Sequence, residues 1–204
     1  MHLDRYRDPD AKAKVVLHHG VGTNGRQMSL ILGARGTLRG IVGMTFLDQR
    51  DQRVRDETSH DRLTARAGVP LMGLLAKTPA ASAKYPMSLA SKMSALANDP
   101  AAMKVLMKDR TSAANWVSVR FLDSYANYAP AVEPPDFDAC PVLLTQPAED
   151  RWTPHHLSVP VLSRITKVPV DTVMLDNAGH YPLEEPGLQQ MQDAIADFVT
   201  KNTA

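Results

Sequence analysis

Four short apolar runs, each closed by turn or charged residues, limit how this chain can fold. They are KVVLHHG at 14–20, GIVGMTFLD at 40–48, ACPVLLTQPAED at 139–150 and VDTVMLDNAGH at 170–180. Short runs of this kind, rich in β-branched and aliphatic residues and bounded by Gly, Pro, Asn or Asp, read as buried strands. The second is expected to pair from Ile41 to Leu47. The segments between them carry helical signals. Asn24 is placed to cap a short helix from Arg26 to about Leu32, which Gly33 ends. At 188–202, Met191, Ile195 and Phe198 recur at spacings of four and three, the mark of an amphipathic helix. Strands alternating with helices specify an α/β fold, a mostly parallel sheet with helices on its faces.

The pattern changes between Pro70 and about Tyr128. Met72, Leu75, Met87, Leu89, Met93, Leu96, Met103, Leu106, Met107, Trp116, Val119 and Leu122 recur at roughly helical spacing, and Pro79, Pro86 and Pro100 cut the region into several helices. It reads as a helical layer inserted into the α/β pattern. Its methionines either fill a core or line a lid over an apolar pocket, since thioether chains adapt to both. The chain divides accordingly into 1–69, a helical cap at 70–130, and 131–204.

Composition narrows the function classes. The formal net charge is +1 and 44% of residues are hydrophobic, the balance of one globular domain rather than a nucleic-acid or anionic-membrane binder. No apolar run spans a bilayer, and the polar start MHLDRYRDPDAKAK does not read as a secretory signal. Cys140 is the one cysteine, so no intrachain disulfide forms. The expectation is a cytoplasmic protein acting on a small molecule. No oligomeric state follows from the sequence.

In parallel sheets ligands meet the loops at the carboxyl ends of the strands. His18-His19-Gly20, Asp150 and His180 all fall at such ends. In NAGHYPLEEP, 177–186, Gly179 permits a sharp turn before His180, and Pro182 stiffens the far side. A histidine acting as general base needs a carboxylate on its other ring nitrogen to fix the tautomer. Asp150, thirty positions earlier at the end of the preceding strand, is the natural orienting group. Each residue also has a structural reading: Asp150 as a turn or cap residue before TPHHLS, His180 as a loop histidine bonded to backbone. Gly20 leaves the Val21 N–H free to face a developing oxyanion, or simply ends a strand. The pairs His18-His19 and His155-His156 are weak metal candidates. Adjacent positions rarely converge on one ion, and no H-E-x-x-H or spaced Cys/His pattern occurs. No cofactor and no metal are expected.

These motifs together resemble the α/β-hydrolase family. VVLHHGVG resembles its oxyanion loop, LTQPAEDRWTP its acid loop, NAGHYPLEEP its histidine loop with the trailing Glu-x-Pro, and GIVGMTFLD the strand after its nucleophile helix. The region 70–128 lies where the family carries its cap. The resemblance covers most of the chain. It implies hydrolysis of esters or related bonds by a nucleophile–His–acid triad, with His180 as base then acid, Asp150 orienting it, and Gly20 and Val21 in the oxyanion hole.

The nucleophile is where the resemblance fails. The family mounts it on a G-x-S-x-G elbow, and no such motif occurs in this sequence. The nearest match, Gly33-Ala34-Arg35-Gly36-Thr37, puts Arg35 at the attacking position, and arginine cannot attack a carbonyl. Two strands and two helices belong between oxyanion loop and later strand, roughly 50 residues or more. The sequence there reads as a join at roughly Leu32 to Gly40, an internal deletion relative to the family. No other serine fits. Ser29 lies on the expected first helix, Ser59-His60-Asp61 are adjacent so their side chains diverge, and Ser82, Ser88, Ser91 and Ser94 lie in the helical region. Two readings follow: a hydrolase-family chain that is inactive or impaired, or a non-catalytic remnant that binds a small apolar ligand or partner under the cap.

Overall fold

Residues 38–203 are described in the computed structural model. Strands β1 (Ile41–Gly43), β4 (Val142–Pro147) and β5 (Val170–Leu175) form a parallel sheet in the order β1-β4-β5. Between them in sequence, β2 (Lys84–Pro86) and β3 (Trp116–Ser118) make a separate antiparallel pair.

β4 is the spine because it carries no charge and no interior turn residue: all six of its residues are buried. It pairs with β1 from Ile41↔Val142 to Gly43↔Leu144, and with β5 from Val142↔Val170 to Pro147↔Leu175. Proline has no N–H to give a ladder, and here it stands at the last paired position. The next donors continue the zipper: Ala148 N–H reaches the Leu175 carbonyl at 2.9 Å and Glu149 N–H the Ala178 carbonyl at 3.0 Å. The loops after β4 and β5 are thereby tied together.

Two sequence expectations need correction here. The strand expected over 41–47 pairs only as far as Gly43. Beyond it the Phe46 N–H bonds to the Ser158 hydroxyl at 3.0 Å instead of to a neighbouring strand, so the chain turns away from the ladder. The strand at 170–175 is not buried throughout: Asp171, Thr172 and Met174 are exposed and Leu175 is buried. β5 lies at the edge of the described sheet, and its adjacent polar residues Asp171 and Thr172 bring exposure to both of its faces.

Helices cover the sheet. On one side, α6 (Val159–Leu162) contributes Val161 and Leu162 to a core with Ile41, Phe46, Phe137, Val142, Leu144 and Ile165. The amphipathic α7 (Gly187–Thr203) packs on β4 and β5. Its Phe198 is buried over Gly40, where a Cβ would stand 2.5 Å from the ring.

The first described helix, α1 (Gln52–Thr58), precedes the region expected to be helical, and that region is mixed. It holds α2 (Val69–Leu75), α3 (Met87–Ala90), α4 (Pro100–Leu106) and α5 (Val119–Ala126) together with the β2–β3 pair. Pro100 does not break a helix but starts one, where its missing N–H has no intrahelical partner to lose. Asp99 caps that helix, accepting from Ala101 and Ala102 N–H. Met87 and Met93 are buried with Leu96 and Ala113 in a second core, against which Trp152 and Tyr181 of the acid and histidine loops pack. These two methionines act as core. Leu71, Leu74, Leu89, Met107 and Trp116 are exposed.

The expected strand 14–20, the helix 26–32, Gly20, Val21 and Arg35 lie outside the described residues, as does most of the join at 32–40.

Candidate active site

Asp150 ends the tight turn that follows β4. Its Oδ1 accepts from the backbone N–H groups of Trp152 and Thr153, both at 2.8 Å. Its Oδ2 faces His180 Nδ1 at 2.9 Å, and the Thr153 hydroxyl donates to the same oxygen at 2.7 Å. The carboxylate thus has four donors around it. Its side chain has no exposed surface, and the whole residue is 5% exposed. Burial, the largest single influence, pushes the carboxyl up. The His180 bond and charge, followed by the Thr153 N–H and hydroxyl, outweigh it and leave Asp150 below the ordinary carboxylate range.

His180 is 8% exposed. With Nδ1 directed at the carboxylate, the ring is set to carry its hydrogen there and leave Nε2 to exchange a proton, the arrangement a general base requires. The Thr153 Oγ1 also lies 3.1 Å from Nδ1. The Trp152 ring meets the imidazole edge-on at 4.7 Å between centroids, and Tyr181 flanks it at 5.7 Å. Trp152 is itself anchored, its Nε1–H donating to the Thr58 carbonyl at 3.0 Å.

The histidine loop is held differently from the sequence expectation. The residue with positive φ is Asn177, at 58°, not Gly179. Gly179 serves close approach instead. It is buried against Asn98, and a Cβ there would lie 2.8 Å from the Asn98 carboxamide carbon and 3.1 Å from its backbone nitrogen. The trailing Glu184 accepts from the N–H groups of Gly179 and Leu183, both at 3.2 Å, closing the turn from below.

The segment 96–98 clasps both loops. Tyr181 N–H bonds to the Leu96 carbonyl at 2.8 Å, Asn98 Nδ2 donates to the Glu149 carbonyl at 3.1 Å, and Arg151 donates to Asn98 Oδ1 at 2.8 Å and to the Ala97 carbonyl at 3.1 Å. Sequence reasoning paired Asp150 with His180 but missed Thr153, Trp152 and Asn98. The D-x-x-T spacing of Asp150 and Thr153 is the available signal, since a carboxylate bonds readily to N–H groups two and three residues on.

His18, His19 and Ser29 lie outside the described residues, and several of the other candidates are engaged elsewhere. Asp61 accepts from Thr64 N–H, and the Ser91 hydroxyl donates to the Thr58 carbonyl. His156 pairs with Glu57 at 2.7 Å. Among the described residues no group of three or more His, Cys, Asp or Glu is placed to hold a metal, and no helix is long and apolar enough to cross a membrane.

No protein-family model matches the chain, and no curated protein matches it in sequence. Two solved structures superimpose on it. The monoacylglycerol lipase of Paleococcus ferrophilus superimposes with a TM-score of 0.55 at 14% identity, over 85% of this chain and 64% of that one. DcsB, in complex with its substrate analogue, gives a TM-score of 0.44 at 14% identity, over 83% of this chain and 60% of that one. This chain therefore spans less than two thirds of the length of either. At that identity the likeness to the lipase is one of fold, and the parallel sheet with its flanking helices is consistent with part of an α/β-hydrolase-type fold.

Proposed function

We propose that this chain is an α/β-hydrolase-family protein that keeps the acid and base of a nucleophile–His–acid triad but has lost the nucleophile elbow to an internal deletion. Its ancestral reaction is hydrolysis of small-molecule esters or related bonds, and the present chain is inactive or strongly impaired. The observation that carries this reading is the buried Asp150–His180 bond of 2.9 Å at the carboxyl ends of neighbouring parallel strands. The absence of G-x-S-x-G from the sequence supports the loss, and the superposition reaches only 64% of the lipase chain. In the ancestral scheme His180 Nε2 takes the nucleophile's proton and returns it to the leaving group, while Asp150 holds the imidazole in register. Gly20 and Val21 supply the oxyanion hole. The region 70–130 acts as the cap.

The test is hydrolysis of p-nitrophenyl acetate by the chain and by a His180→Ala control. The two are expected to match to within the modest rate an imidazole base gives without a nucleophile, on the order of 10²–10⁴-fold over water. A burst of p-nitrophenol stoichiometric with protein would reveal a covalent nucleophile and overturn the proposed loss.

The second reading is a non-catalytic remnant that binds a small apolar ligand or a protein partner under the cap. The exposed apolar side chains of Leu71, Leu74, Leu89, Met107 and Trp116 in the region 70–130 favour it. Titration with a medium-chain fatty acid, followed by tryptophan fluorescence, tests the ligand form, and no saturable change at millimolar ligand removes it.

A further inference from the structure

Resting on the reading of His180 as the acid–base residue, we infer that the Thr153 hydroxyl is a positioning group for the pair, bridging the Asp150 carboxylate and His180 Nδ1 and selecting the imidazole tautomer with its hydrogen on Nδ1. The geometry leaves the hydroxyl little choice. Thr153 is 2% exposed, and its backbone is fixed at both ends. Its N–H donates to Asp150 Oδ1 at 2.8 Å, and its carbonyl accepts from the buried Gln146 Nε2 at 3.2 Å.

A hydroxyl has one proton and two lone pairs. Oγ1 stands 2.7 Å from Asp150 Oδ2 and 3.1 Å from His180 Nδ1. Two oxygens that close, with no proton between them, repel, so the hydroxyl proton belongs to the carboxylate. What Oγ1 then turns toward Nδ1 is a lone pair. An imidazole with an unprotonated Nδ1 would face two oxygens, Oδ2 at 2.9 Å and Oγ1, with nothing to share. One with Nδ1–H satisfies both in a bifurcated bond. Thr153 thus adds to the preference that Asp150 imposes, and frees Nε2 for proton transfer.

The test compares the unmodified chain with Thr153→Val, which removes the hydroxyl at nearly constant shape, and Thr153→Ser, which keeps it. Ring ¹⁵N shifts of labelled His180 give the tautomer ratio, and a ¹³C titration follows the Asp150 carboxyl. Thr153→Val is expected to erode the Nδ1–H preference by about tenfold, the worth of one such bond, and to move the Asp150 midpoint upward. Thr153→Ser is expected to keep both values. A Thr153→Val protein that matches the unmodified chain in both readouts overturns the inference. So does a Thr153→Ser protein that behaves like the valine variant, because a loss despite the hydroxyl means only packing matters. If the valine variant does not fold, the unmodified chain still decides. The Thr153 hydroxyl proton is expected to exchange slowly and to show a cross-relaxation peak to the His180 Nδ1 hydrogen, and absence of that peak overturns the assignment. None of these readouts involves hydrolysis, so a burst of p-nitrophenol overturns the proposed loss of the nucleophile and leaves this result untouched.

Discussion

Gly179 presses against Asn98 with room for a hydrogen and little else: an added Cβ would sit 2.8 Å from the Asn98 carboxamide carbon. The contact joins the histidine loop to the segment 96–98, which is bonded in turn to the acid loop through the Glu149 carbonyl and the Arg151 side chain. Gly179→Ala is expected to cost about 1–3 kcal/mol, the range for overpacking a fitted site. Because the obstacle is partly the Asn98 side chain, Asn98→Gly in the same chain is expected to recover some of that loss, while the backbone contact at 3.1 Å keeps recovery incomplete. A double-mutant cycle from urea unfolding measures it. Strict additivity of the two substitutions would show that the contact is not felt.

Removing the Asp150 carboxylate strands several donors at once. Asp150→Ala leaves the N–H groups of Trp152 and Thr153 and the Nδ1 edge of His180 without their buried acceptor. Loss of about 3–5 kcal/mol is expected, as for a buried pair deprived of one partner. Guanidinium unfolding checks it, and a loss under about 1 kcal/mol would place the carboxylate in a wet, weakly bonded site.

The acid side of the stability profile carries the signature of the same carboxyl. Asp150 is held below its ordinary range in the folded chain, whereas unfolded it titrates near 3.9. The unfolded chain therefore takes up the proton first. The stabilisation is fully present above about pH 5, and fades as pH falls through 3.9 toward the lower folded value. Glu57 and Glu133 are also held low, so the profile of the unmodified chain alone is a sum. The difference between the unmodified chain and Asp150→Asn isolates the Asp150 share. That difference is expected to shrink on acidification, and one that stays flat or grows rules the shift out.

Phe198 closes α7 onto the sheet by lying over Gly40, just before β1. Phe198→Ala is expected to cost about 3–5 kcal/mol, as for other buried aromatics. Gly40→Ala is expected to destabilise through the same ring, with a Cβ placed 2.5 Å from it. Combining the two substitutions should cost less than their sum, since the alanine then occupies space the ring has left. Thermal unfolding of the three variants reads this directly.

What was legible in the sequence was whatever a single period or a single spacing encodes. The strand Val142–Pro147 follows from the short apolar run Val142-Leu143-Leu144 between Pro141 and Pro147, and the helix Gly187–Thr203 from the spacing of Met191, Ile195 and Phe198. The meeting of Asp150 and His180 follows from their places at the ends of consecutive strands. Features set by tertiary contact were not legible. β2 has three residues and ends in a proline, and it is a strand only because Trp116–Ser118 comes to lie beside it. β1 stops at Gly43 because Ser158, distant in sequence, captures the Phe46 N–H. Gly179 looked like a residue chosen for its turn, yet Asn177 makes the left-handed bend and Gly179 is glycine for the sake of Asn98. Thr153 was passed over because nothing in a D-x-x-T spacing says that a histidine thirty positions from the aspartate will join it.

The zipper that continues past β4 and β5 makes the acid–base pair a possession of one contiguous stretch of chain. Strand pairing, the Ala148 and Glu149 bonds, Thr153 and both loops all fall between Val142 and His180. Changes to the chain outside this stretch can therefore leave the strand-end contact of Asp150 with His180 in place. Such a couple speaks for the order of two strands before it speaks for any chemistry.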